Sequence, residues 1–112
     1  MTYTDKEKIE IANTIIRQMG GAGRLKAMIG AKDIYALDSG VQFRFMGSKK
    51  ANKVKIDYTP DDLYTMTFIK VGRLNKKTFD IKVDTVETFE GIYNDQLKPI
   101  FEETTGLYLS LF

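Results

Sequence analysis

The 112 residues predict an α+β fold: an antiparallel β-meander of about five strands, with N-terminal and C-terminal helices packed on one face. Three observations carry that prediction. Apolar side chains recur at three- and four-residue intervals near both ends of the chain, and with a period of two between them. The strand-like stretches are separated by short turns, which join antiparallel neighbours and leave no room for crossovers. A chain of this length supports one hydrophobic core, so residues 1–112 are read as a single domain.

Each element follows from local chemistry. Thr4-Asp5-Lys6-Glu7 has the spacing of a capping box, and Ile9, Ala12, Ile15, Ile16 and Met19 continue from it as the apolar face of a first helix. Gly20-Gly21 stops that helix, and Arg24–Ile29 has length for one or two further turns before Gly30. Asp33–Leu37 is read as a short strand turned by Asp38-Ser39-Gly40, and Val41–Met46 as its partner, with Val41, Phe43 and Phe45 facing the core. Lys53–Tyr58 repeats the alternation with Val54, Ile56 and Tyr58 inward. After the turn Thr59-Pro60-Asp61-Asp62, Leu63–Val71 places Tyr64, Met66 and Phe68 on one face. Gly72–Lys77 reads as a basic turn. Thr78–Val86 reads as the last strand, with Phe79, Ile81 and Val83 on one side and Asp80, Lys82 and Asp84 on the other. Tyr93, Leu97, Ile100 and Phe101 mark a closing helix that Gly106 ends; Pro99 is discordant if that helix starts near Asn94 or Asp95. The tail Leu107–Phe112 is apolar enough to be expected to dock on the body.

Absent residue types narrow the chemistry. Without Cys there is no disulfide, thiolate nucleophile or sulfur-ligated metal, and without His the commonest general base and metal ligand is missing. Ser39, Ser48 and Ser110 therefore have no imidazole to activate them. The expectation is a non-enzymatic protein with no cofactor and no metal. No apolar run reaches the roughly 20 residues of a spanning helix, and the polar start Met1–Lys6 is unlike a signal peptide. A cytoplasmic protein with no membrane association, monomeric or a small homo-oligomer, is expected.

A net charge of +2 gives no overall field to speak of, so any electrostatic function depends on how charge is distributed. In a meander the second-to-third and fourth-to-fifth connections emerge at one end of the sheet. That end is expected to gather Lys49, Lys50, Lys53, Arg73, Lys76 and Lys77, with Lys32 beside them, opposite an acidic end carrying Asp38, Asp61, Asp62, Asp84 and Glu87. The basic end is the candidate contact surface, for a protein partner or for the phosphate backbone of nucleic acid. Solvated hairpin tips are also commonly Lys-rich, and a set dominated by Lys suits nonspecific electrostatic contact better than base reading.

Other motifs carry less. Phe43, Phe45, Tyr58, Tyr64 and Phe68 share the phase of Val41, Ile56 and Met66, so they are read as core rather than as a stacking platform. The opposite face, with Gln42, Arg44, Lys55, Asp57, Thr65, Thr67 and Lys82, is polar, and reads as a docking surface or as solvated sheet. Asp57 or Asp61 followed by Asp80-Ile81-Lys82 has the form of a metal-nuclease carboxylate set, but so short a pattern arises readily by chance in a charge-rich chain. Gly20–Arg24 lacks the G-K-[ST] ending of a phosphate loop and is read as an interhelical turn, with a second helix too short to cross a DNA groove.

Three stretches taken together resemble a group of small uncharacterised proteins of tailed phages, prophages and related mobile elements. They are Gln18–Gly21 through Met28–Lys32, Val54–Tyr64, and Gly91–Leu97 through Thr104–Tyr108. The resemblance spans most of the chain and brings no activity and no functional residues with it. It implies a context in which small accessory proteins bind host machinery, defence nucleases or phage nucleic acid. The function expected from it is a phage-type accessory protein acting on a host or phage protein partner, an inhibitor of a host defence complex among the options, in the host cytoplasm. A nonspecific nucleic-acid-binding protein is the alternative.

Overall fold

The structure is a computed structural model that describes residues 3–109. Helices α1 (Asp5–Gln18) and α2 (Ala22–Ile29) precede strands β1 (Lys32–Ala36), β2 (Gly40–Arg44), β3 (Lys53–Tyr58), β4 (Tyr64–Leu74) and β5 (Ile81–Ile92). A single 3-10 turn, Asn94–Gln96, then leads into α3 (Leu97–Thr105). The strands form one antiparallel sheet in sequential order, β1-β2-β3-β4-β5, as the short connections require. Among the described residues no helix is long and apolar enough to cross a membrane.

The capping box forms as read. The Glu7 N–H donates to the Thr4 hydroxyl, and the Thr4 N–H donates to the Glu7 carboxylate at 3.0 Å. These hydrogen bonds, the Thr4 backbone N–H foremost, hold the Glu7 carboxyl below the ordinary glutamate range. Ala12, Ile15 and Ile16 are buried with Met19 at the C-cap, whereas Ile9 is 54% exposed. At 100° per residue Ile9 lies roughly 70° from the centre of that stripe, beyond its edge, and this expected fifth core position stays in water. Gly30 ends α2 in the left-handed conformation that glycine adopts without a Cβ penalty.

The core lies between the helices and one face of the sheet. Val41, Phe43, Phe45, Val54, Ile56, Met66 and Phe68 are fully or almost fully buried there. Phe101 of α3 meets three of them, with ring centroids 6.3 Å from Phe43, 5.0 Å from Phe45 and 6.0 Å from Phe68. Centroids this far apart are in the range where aromatic pairs attract beyond their area burial. Gly40 is required by close approach: a Cβ there would stand 1.9 Å from the Ile56 carbonyl oxygen of β3. Pro99 falls in the first turn of α3, where its missing N–H has no intrahelical partner to lose, because the 3-10 turn takes up the preceding residues. In the tail, Leu107 packs on the core and Leu109 is buried, its N–H donating to the Glu102 carboxylate at 2.9 Å. Docking thus holds to Leu109, and the Ser110–Phe112 part of the expectation lies outside the described residues.

The last hairpin differs from the sequence reading. β4 continues to Leu74, the turn moves to residues 75–80, and β5 runs from Ile81 to Ile92 instead of ending at Val86. Register shifts between Tyr64 and Met66, Phe68 and Ile69, and Val71 and Leu74 let the strands stay paired over that length. Phe79, Ile81 and Val83 are all exposed. The alternation is present, but no helix reaches this part of the sheet to cover it.

Candidate functional site

The distal half of the β4–β5 hairpin projects from the body as a two-stranded arm. β3 ends its pairing with β4 at Lys53 opposite Ile69, so beyond that row β4 loses its inner neighbour. Asn52 extends the ladder by one step with its side chain. Its amide donates to the Val71 carbonyl and its side-chain oxygen accepts from the Val71 N–H, both at 2.8 Å, while its backbone N–H donates to Ile69 at 3.0 Å. Side-chain amides can replace a missing backbone partner in this way, and here both peptide groups of Val71 are satisfied. From Gly72 outward the arm has only its own two strands.

Its tip is closed by the Asn75 N–H donating to Asp80 at 2.8 Å and the Phe79 N–H donating to Asn75 at 2.6 Å. The Asn75 side chain accepts from the Lys77 N–H. Phe79 holds φ at 60°, a left-handed conformation unusual for a bulky residue, and its side chain is 78% exposed. Leu74 and Ile81 are a directly opposed pair below it, and Val83 opposes Val71 further down; Leu74, Ile81, Val83 and Val86 all remain exposed.

The expected basic end is real in topology but extended in space. Lys49 and Lys50 lie in the β2–β3 loop and Lys53 starts β3, all at the base of the arm. The Lys70 ammonium donates to the Lys49 carbonyl at 2.7 Å, which brings a further cation to this group. Arg73 lies four residues beyond the Lys53–Ile69 row, about 13 Å further along the strand, and Lys76 and Lys77 are in the tip beyond it. Lys49, Lys50 and Lys53 therefore form one group and Arg73, Lys76 and Lys77 another. Asp84 and Glu87 do not belong to the acidic end: because β5 starts at Ile81, Asp84 stands opposite Lys70, near the base of the arm, and Glu87 stands opposite Phe68. Asp38, Asp61 and Asp62 do lie at the opposite end, in the turns after β1 and β3.

The carboxylate motif does not assemble. Asp57 pairs with Thr65 near the acidic end while Asp80 caps the arm tip beside Asn75, about 33 Å further along β4. Among the described residues no group of three or more carboxylates is placed to hold a metal ion. A cleft of about 580 Å³ lies at the acidic end, against the flank of α1, where Glu7, Glu10, Tyr58, Asp62, Tyr64 and Tyr93 contribute to its walls. The Tyr58 hydroxyl hydrogen-bonds the Asp62 carboxylate there. Periodicity could not reveal this cleft, because its walls come from three segments distant in sequence. No family model, curated protein or solved structure matches this chain.

Proposed function

We propose that the chain is a non-enzymatic binding protein that engages a protein partner through the β4–β5 arm. The observation that carries this reading is the exposure of Phe79, Leu74, Ile81 and Val83 on one narrow projection, with Val86 exposed at its base. Single exposed apolar residues are ordinary, but a contiguous group rimmed by charge is the composition of a protein interface, with an aromatic anchor and a polar border. Arg73, Lys76, Lys77, Asp80 and Lys82 supply that border. Phe79 adds a second argument. A glycine would occupy its conformation more cheaply, so the position is not optimised for folding, and strained exposed residues gather at binding sites. The resemblance to small phage-encoded proteins supports a host or phage protein as the partner, a defence complex included.

Affinity capture from cells that produce the protein tests this, with wild type and a Phe79→Gly/Ile81→Lys variant side by side. A partner recovered in stoichiometric amount that persists at about 0.5 M salt and is lost with the variant is the expected result, since an apolar contact resists screening. Capture unaffected by the variant would reject the arm as the contact. Recovery of nucleic acid alone, lost on raising salt and on substituting Lys49 and Lys76, would favour phosphate contacts at the basic end instead.

A further inference from the structure

The sheet face turned away from the helices carries a line of cations that the arm does not explain. Register sets Lys32 opposite Arg44, and Arg44 opposite Lys53, on three adjacent strands. Opposed residues share a face, and the chain neighbours Phe43 and Val54 are buried in the core, so this row points to the open side. Strand spacing of about 4.8 Å places the three backbone positions within roughly 10 Å. Lys55 follows Lys53 by two residues on the same face, opposite Gln42, and Tyr35 on the other side of Gln42 is 57% exposed. The only ion pairs among the described residues are Lys8–Asp38 and Lys82–Asp84, so none of the cationic nitrogens of the row has a carboxylate oxygen within 4.0 Å, although Asp33 neighbours Lys32 in the chain. Like charges set directly opposite each other destabilise a sheet. Thr or Gln would solvate the face without that penalty, as Gln42, Thr67 and Thr88 do in the adjoining row.

We propose that this row is a binding site for the phosphodiester backbone of single-stranded nucleic acid, independent of the partner contact at the arm. A flexible backbone presents a line of negative charges that can follow the cations from strand to strand, whereas the carboxylates of a folded acidic protein are fixed at irregular positions. Tyr35 stands beside the row with its ring free to stack on a base, and Gln42 offers both donors and an acceptor. An open sheet face with a nearby aromatic suits single strands better than duplex, whose bases are not available for stacking.

Fluorescence anisotropy of labelled oligothymidylate against the whole chain, across about 50–200 mM salt, reads the site. Contacts to three or four phosphates predict a slope of log affinity on log salt of about −2 to −3. Arg44→Gln/Lys53→Gln is expected to shrink that slope by about 1.4 while its thermal midpoint stays level or rises, because the repulsion is relieved. Tyr35→Ala is expected to weaken binding about fivefold or more, and Lys76→Gln/Lys77→Gln to leave it unchanged. The proposal is overturned if wild type shows no salt-dependent binding, or if the tip variant loses it and the row variant does not. It is also overturned if polyglutamate displaces the oligonucleotide at equal charge and Tyr35→Ala has no effect, which would assign the row to an acidic protein surface. Failure of the arm contact would leave all of these readings unaltered.

Discussion

Phe79 separates what stabilises this protein from what the protein presents. Its backbone sits in the left-handed region and its ring in water, so it contributes neither good conformation nor burial. Replacing it with glycine removes a penalty of about 1–2 kcal/mol for a side chain in that conformation and forfeits little packing, offset in part by the added flexibility of glycine in the unfolded chain. Phe79→Gly is therefore expected to raise stability by up to about 1 kcal/mol in urea denaturation, where a core phenylalanine such as Phe101 would lose about 3–5 kcal/mol on truncation to alanine. The two phenylalanines look alike in sequence. Phe43, Phe45 and Phe68 were legible as core because each shares its phase with apolar neighbours on, or for Phe45 just past the end of, a strand that helices cover. Phe79 is not distinguishable from them by alternation, since burial depends on what lies above the strand and that is a tertiary fact.

At the scale of elements, β3 was readable to the residue, whereas the β4–β5 hairpin was displaced toward the C-terminus. Pro60 and the adjacent aspartates announce the turn before β4. Gly72 offers an equally strong turn signal and is misleading: in the structure it lies inside β4, where a Cβ would come within 3.3 Å of the Lys82 carbonyl, so the glycine serves strand approach rather than reversal. The real turn, Asn75–Asp80, is built by the Asn75 side chain and by backbone hydrogen bonds that no composition rule singles out. The candidate cations were found, but their division into two groups followed from this displaced hairpin, and Arg44 and Lys70 joined them only through register and a hydrogen bond across the sheet. Because the arm contributes no buried side chain, shortening it should be tolerated. Replacing residues 72–82 with a two-residue Asn-Gly turn between the paired Val71 and Val83 is expected to move the thermal midpoint by no more than about 4 °C, with hydrogen exchange of β2 and β3 amides unaltered. Loss of cooperative unfolding in that variant would show that the arm belongs to the folding unit.

Across the whole molecule, a net charge of +2 conceals segregation. One end carries Asp38, Asp61 and Asp62 and a cleft walled by phenols and carboxylates; the other carries Lys49, Lys50, Lys53 and Lys70, with Arg73, Lys76 and Lys77 on the arm beyond. The radius of gyration, 14.2 Å, exceeds the roughly 13 Å of a compact chain of this length, in keeping with a projection on an otherwise well-packed body. Both the arm and the open sheet face are surfaces that the fold leaves uncovered at some cost, which is the physical basis for reading this protein as a binder. A photo-crosslinking phenylalanine analogue at position 79, compared in producing cells with the same analogue at position 108, puts the arm to the test, since Tyr108 is also highly exposed, at 72%, but lies off the arm. A discrete protein adduct formed from position 79 and absent from position 108 is the result expected of a partner-binding arm. No adduct from position 79, or the same adducts from both positions, would contradict it.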